Sequence, residues 1–132
     1  VYTSGYESLL ELNVSLLQWA FQELTSSNVK VPRLVASSHI CRGRDLQGWE
    51  HIKFLLDALE ASVYLSGVGE GSRRYIQESN FEGSPMKLVW QEFDHPIYPQ
   101  LHGPFLKGLS ILDMFFNCGV AQTATALKGE FL

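Results

Sequence analysis

Three short, mostly apolar runs at residues 31–36, 62–65 and 87–93 are separated by stretches whose apolar residues return with a helical period. That alternation is the tightest constraint on the fold. Short runs without a strict polar alternation suit strands buried on both faces, and helices between them suit a parallel sheet. The expected architecture is α/β, a small three-layer domain with about three parallel strands covered by helices. Residues 1–132 read as one domain, with no internal repeat, low-complexity block or linker.

The helical segments carry recognisable boundaries. Leu10, Val14, Leu17, Phe21 and Leu24 recur at steps of four and three, which predicts a helix over residues 6–26. Leu12, Leu16 and Trp19 broaden its apolar side. Ser4 and Glu7 have the spacing of a capping box at its start. Trp49, Ile52, Leu55, Leu56 and Leu59 predict a second amphipathic helix, with Asp45 as its cap. A short helix is expected near residues 72–77, and a turn over 78–85. Residues 94–104 hold three of the five prolines and predict an irregular connection. Ser110 and Asp113 give a second box-like start, Gly119 is placed to stop that helix, and a weaker helix is expected beyond it.

Composition narrows function without naming it. Of the residues 45% are hydrophobic and 12% aromatic, enough apolar surface for a folded core. A net charge of -4 argues against a nucleic-acid surface, which needs clustered Lys and Arg. No apolar run reaches the roughly 18 residues of a membrane-spanning helix, and the first residues lack the profile of a signal peptide. Two cysteines, Cys41 and Cys118, cannot build a disulfide framework, so a reducing cytoplasm is the expected setting.

Ligands of open parallel sheets bind beyond the carboxyl ends of the strands. Ser37, Ser38, His39, Arg42 and Arg44 follow the first expected strand. Ser66, Gly67, Gly69 and Gly71 follow the second, and Asp94, His95, Tyr98, Gln100 and His102 the third. Loops are polar in any case, so this co-location has a plain reading as well as a functional one. The glycine segment 66–71 is either a cradle for an anion or carboxylate, or a tight βα turn. It lacks the dinucleotide fingerprint and the Walker lysine. His95 and His102 are candidates for acid–base work near neutral pH; otherwise they fix the loop through backbone carbonyls. Asp113 and Asn117 share a helix face and either line a pocket or, for Asp113, cap the helix. No metal-ligand spacing is present, and neither cysteine has a C-x-x-C partner. Cys118 is expected to be packing, not a nucleophile, and Ser37 and Ser38 lack a nucleophile elbow. No cofactor is expected.

Several of these segments together resemble the WbqC-like protein family. The resemblance rests on Tyr64-Leu65-Ser66-Gly67 with Tyr75, and on His95-Pro96-Ile97-Tyr98-Pro99-Gln100. Phe105, Leu109-Ser110-Ile111-Leu112-Asp113 and Phe116-Asn117-Cys118-Gly119 complete it, with Ala36-Ser37-Ser38 as a weaker feature. It runs from about residue 9 to 119, most specifically over 95–119. It implies a bacterial α/β protein of surface-polysaccharide biosynthesis. Some members of the family are proposed to transfer an amino acid such as glycine onto an amino sugar. A sugar nucleotide or amino acid is then the implied ligand. Joined to the loop residues above, this gives His95 or His102 as the expected base, and Ser37, Ser38, Ser66, Gly67, Gly69, Tyr98, Gln100, Asp113 and Asn117 as the expected binding residues. The resemblance is to the carboxyl-terminal half of the family only. The expected alternative is a non-catalytic module, completed by a homo-oligomer or by the amino-terminal half.

Overall fold

The structure, a computed structural model, describes residues 5–128. Its elements in chain order are α1 (Leu9–Ser26), α2 (Ser37–Cys41), α3 (Gly48–Ala58), β1 (Val63–Gly67), α4 (Glu70–Tyr75), a 3-10 turn (Glu78–Phe81), β2 (Lys87–Gln91) and α5 (Ile111–Leu127). Helix and strand are mixed around a parallel sheet, so the α/β class holds. Contacts gather the described residues into two compact units. One holds the residues up to Arg33 and those from His95 onward; the other is Leu34–Asp94.

The first unit is helical. Its core is Ala20, Leu24, Phe115 and Ala124, flanked by Trp19, Val29, Val31, Ile111, Leu112 and Val120. Trp19 meets Phe115 edge to face, with centroids 5.5 Å apart. The expected stripe on α1 is buried at its C-terminal end, whereas Leu10 and Leu17 are exposed. Helix α1 starts later than its periodicity suggests. Ser8 is the cap, accepting from the Glu11 N–H at 3.2 Å, and the Glu11 carboxylate accepts from the Glu7 N–H at 2.9 Å. The same Ser-x-x-Glu spacing thus recurs one turn further on; Ser4 lies outside the described residues. Helix α1 ends in a Schellman turn at Asn28, with φ of 58°. There the Val29 N–H reaches the Leu24 carbonyl and the Asn28 N–H reaches Thr25, both at 3.0 Å.

Helix α5 is two helices joined at Gly119, as its glycine predicts. The φ of 78° and ψ of 167° there suit glycine alone among the amino acids. The fully buried Thr123 donates its hydroxyl to the Gly119 carbonyl at 2.9 Å, one turn back, so its own polar group is satisfied.

The second unit carries the sheet. Strands β1 and β2 pair in parallel, Val63 opposite Lys87 through Gly67 opposite Gln91. Parallel neighbours need a crossover, and α4 with the 3-10 turn supplies it. Leu56, Ile76 and Phe81 form the core, with Trp49, Tyr64, Leu88 and Trp90 packed against it. The Phe81 ring lies 5.1 Å from Trp49 and 6.1 Å from Tyr64. Helix α3 closes with its own Schellman turn: Ala61 N–H to Leu56 and Glu60 N–H to Asp57. Its cap is Gln47, not Asp45, and no side chain bonds there.

Two details of the expected architecture change. Residues 31–36 form no strand. Pro32 lacks the N–H that a ladder needs, Val31 packs into the first unit's core, and Leu34 and Val35 stay exposed. The described sheet therefore has two strands, not three. Among the described residues the two faces of the sheet differ in exposure. Tyr64, Ser66, Leu88 and Trp90 are on the packed face, while Val63, Leu65 and Val89 on the other are 50%, 58% and 42% exposed.

Candidate functional site

The polar residues of the first unit converge on one carboxylate. Asp113 sits in the first turn of α5, after the cap Ser110, whose hydroxyl accepts from the Leu112 N–H at 3.3 Å. Its carboxylate is not spent on that cap, contrary to the capping role its spacing suggests. One oxygen accepts from the Tyr98 hydroxyl at 2.8 Å and from the Gln100 amide at 3.0 Å. The other accepts from the Asn117 amide at 3.1 Å, one helical turn on. Four residues expected in a site are thereby brought together: Tyr98, Gln100, Asp113 and Asn117.

Two of the four, Gln100 and Asn117, also hold backbone. Gln100 brackets Leu106, accepting from its N–H at 2.8 Å and donating to its carbonyl at 3.1 Å. Asn117 accepts from the Leu101 N–H at 3.0 Å and donates to the Asp113 carbonyl at 2.8 Å. Tyr98 is buried, and its ring meets Phe105 edge to face at 5.3 Å. Residues 98, 100 and 101 are thus stitched to α5, and Leu106 is tied back to Gln100. An irregular, proline-bearing connection with no ladder of its own becomes a fixed loop.

Electrostatics follow from that packing. Burial first, then the neighbouring Asp113 carboxylate, raise the Tyr98 phenol above its ordinary pKa of 10.0. The phenol therefore stays a donor throughout the neutral range. Burial also pushes the Cys118 thiol up, with the Asp113 charge adding to the effect. A thiol held protonated beside a carboxylate is a poor nucleophile, which fits the packing role expected for Cys118.

The remaining expected residues are placed differently. His102 is exposed on the fixed loop, and His95 is half-buried where the connection begins. Ser37 and Ser38 are exposed at the start of the five-residue α2. Ser66 is buried at the end of β1, its hydroxyl 3.4 Å from the Gly67 carbonyl. Gly67 and Gly69 have ordinary negative φ, and Gly69 caps the six-residue α4. Arg73 closes that turn by donating to the Val68 carbonyl at 3.1 Å while its guanidinium lies 4.6 Å from the Trp90 ring centroid. The segment has the form of a βα turn braced by an arginine.

Grooves are present among the described residues as well. One of about 320 Å³ in the first unit is lined by Asn13, Leu16, Leu17, Ala20 and Ser110–Leu112. One of about 370 Å³ in the second lies between Trp49, Lys53 and Asp57 on α3 and residues 80–86. None of the expected site residues lines either groove. No group of three or more metal-ligating side chains occurs among the described residues. No helix of the described residues is long and apolar enough to cross a membrane.

Sequence reasoning missed one pair. Cys41 at the end of α2 lies 3.6 Å from the His51 ring on α3. No spacing rule for a single helix or a metal motif couples positions ten apart. The contact forms because α2 and α3 are joined by a short connection and pack against each other.

Comparison with known proteins places the chain. An uncharacterised protein of Mycobacterium tuberculosis is 34% identical over 71 residues, which span 53% of this chain and 30% of the relative. The match thus covers less than a third of that relative's length. No solved structure matches. The family match extends over residues 1–125, wider than the stretch from 9 to 119 that carries the resemblance by eye, and on it the chain belongs to the WbqC-like protein family.

Proposed function

We propose that this chain contributes the loop-bearing portion of an acyl- or aminoacyl-transferase acting on amino sugars or sugar nucleotides. The setting is the bacterial surface-polysaccharide biosynthesis that the family resemblance implies. The observation that carries the reading is the stitched loop. Three side chains donate to the Asp113 carboxylate, and the segment they fix holds His102 in solvent beside the exposed Leu101. A loop ordered in advance binds a ligand without the cost of ordering it later. On this reading the amine of the sugar adds to the acyl carbonyl of the donor. A carbon–nitrogen bond forms, the bond to the donor's leaving group breaks, and the amine proton passes to His95 or His102. Tyr98, Gln100, Asp113 and Asn117 position the loop on which the sugar rests.

The test is direct. The purified chain is screened by thermal shift against sugar nucleotides, amino acids and acyl donors, and turnover is followed by mass spectrometry. A ligand at 100 times its Kd adds about 2.7 kcal/mol of stability. Turnover lost in His95→Ala or in His102→Ala, with circular dichroism unchanged, is the expected result and identifies the base. Turnover that survives in both removes the base assignment, and silence across the whole panel removes the transferase reading for this chain.

A second reading is a non-catalytic binding or assembly module. The open sheet face of Val63, Leu65 and Val89 favours it, because parallel sheets are ordinarily covered on both sides. It predicts self-association. A strictly monomeric chain in light scattering at high concentration counts against it.

A further inference from the structure

Cys41 and His51 stand apart from the residues given a role above. The sulfur lies 3.6 Å from Nε2 of the imidazole, and Nδ1 of the same ring lies 3.0 Å from the Leu46 carbonyl oxygen. A carbonyl oxygen only accepts, so Nδ1 carries the hydrogen. In the neutral ring Nε2 is then a free lone pair aimed at the thiol, and the Cys41 S–H is the donor. Nucleophile, base and a group that orients the base are all present, which is the arrangement that activates a side-chain nucleophile.

The other cysteine is an internal contrast. Cys118 has a carboxylate for a neighbour, and both its burial and that charge oppose the thiolate. Cys41 has a proton acceptor instead. Exposure alone gives the opposite order, since Cys41 keeps only 7% of its surface at the end of a five-residue helix whereas Cys118 is just partly buried, so a faster Cys41 has to come from His51. A small reagent reaches such a sulfur more readily than a large one.

We propose that Cys41 is a modification site for small disulfides, with His51 as its base. The thiol proton passes to His51 Nε2 as Sγ attacks one sulfur of the disulfide. The new S–S bond to Cys41 forms as the disulfide's own S–S bond breaks. The departing thiolate takes the proton from the imidazolium and leaves as a thiol. Cys41 is oxidised, the released sulfur is reduced, and the ring returns to its starting tautomer. This proposal is independent of the transferase reading.

The experiment treats the whole chain with bis(2-hydroxyethyl) disulfide at pH 7.4, and follows adducts by intact mass and peptide mapping. The expected result is a single adduct on Cys41, formed at least tenfold faster than on Cys118. His51→Ala distinguishes a base from a packing neighbour, because the two predict opposite signs. Removing a packing neighbour opens the sulfur to reagent and speeds the adduct, whereas removing a base slows it tenfold or more, with added imidazole restoring part of the rate. His51→Gln, which keeps the bulk and loses the base, carries the same comparison if His51→Ala fails to fold. An adduct that appears first on Cys118, or a Cys41 rate undiminished in the folded His51 variant, overturns the proposal.

Discussion

In the unit built on α1 and α5, an ionisable carboxylate is turned inward and given three donors: Tyr98, Gln100 and Asn117 all end on Asp113. In the unit built on the parallel sheet, three aliphatic side chains with nothing to hydrogen-bond are turned outward, Val63, Leu65 and Val89. The first arrangement spends polar groups to specify one conformation of a loop that apolar packing alone would leave ambiguous. The second leaves unspent the apolar surface that normally drives a sheet to acquire a second layer. Polar satisfaction and apolar exposure therefore mark different things here. One marks a finished substructure and the other an open one.

The strongest way to break this contrast is Asp113→Ala. It strands the Tyr98 hydroxyl and the Gln100 amide together, and is expected to cost about 3 kcal/mol. Urea unfolding followed by circular dichroism reads the cost. A loss below about 1 kcal/mol would mean that the node is ornamental. Tyr98→Phe is milder, about 1 kcal/mol at neutral pH, and has a pH signature. The folded phenol holds its proton above the unfolded value of 10.0, so its contribution is complete below that pH. The contribution is lost as pH rises from there through the folded pKa. The parent chain should lose stability above pH 10 more steeply than Tyr98→Phe, and parallel curves would contradict the assignment. Leu65→Thr should do least, below about 0.5 kcal/mol, since a 58% exposed side chain has little burial to forfeit. A larger loss would show that the open face is covered in solution.

Much of the fold was legible because local rules and global outcome agree. The break at Gly119, the cap at Ser110 and the two runs that became β1 and β2 all follow from backbone chemistry readable in one dimension. The failures have physical causes. Residues 31–36 have the composition of a strand, but composition does not say whether a partner strand exists, and Pro32 removes a donor. The end of α3 is hidden because Glu60, not glycine, takes the positive φ of its Schellman turn, at 50°. In the polar node, the shared helix face of Asp113 and Asn117 was readable from their spacing of four. That Tyr98 and Gln100 come back to the same carboxylate was not, because the return is made by an irregular chain with no period to read. The Cys41–His51 contact was out of reach for the same reason.

The parallel pairing of β1 with β2 also has a consequence in time. Lys87 leaves the ribosome about 24 residues after its partner Val63, roughly 1–5 s at ordinary elongation rates. During that interval Val63, Tyr64 and Leu65 have no ladder partner from their own chain, and β1 carries neither the charge nor the proline that discourages foreign strands. The short crossover of α4 and the 3-10 turn, braced by Arg73 on its way back, thus sets how long a newborn chain carries an uncommitted strand.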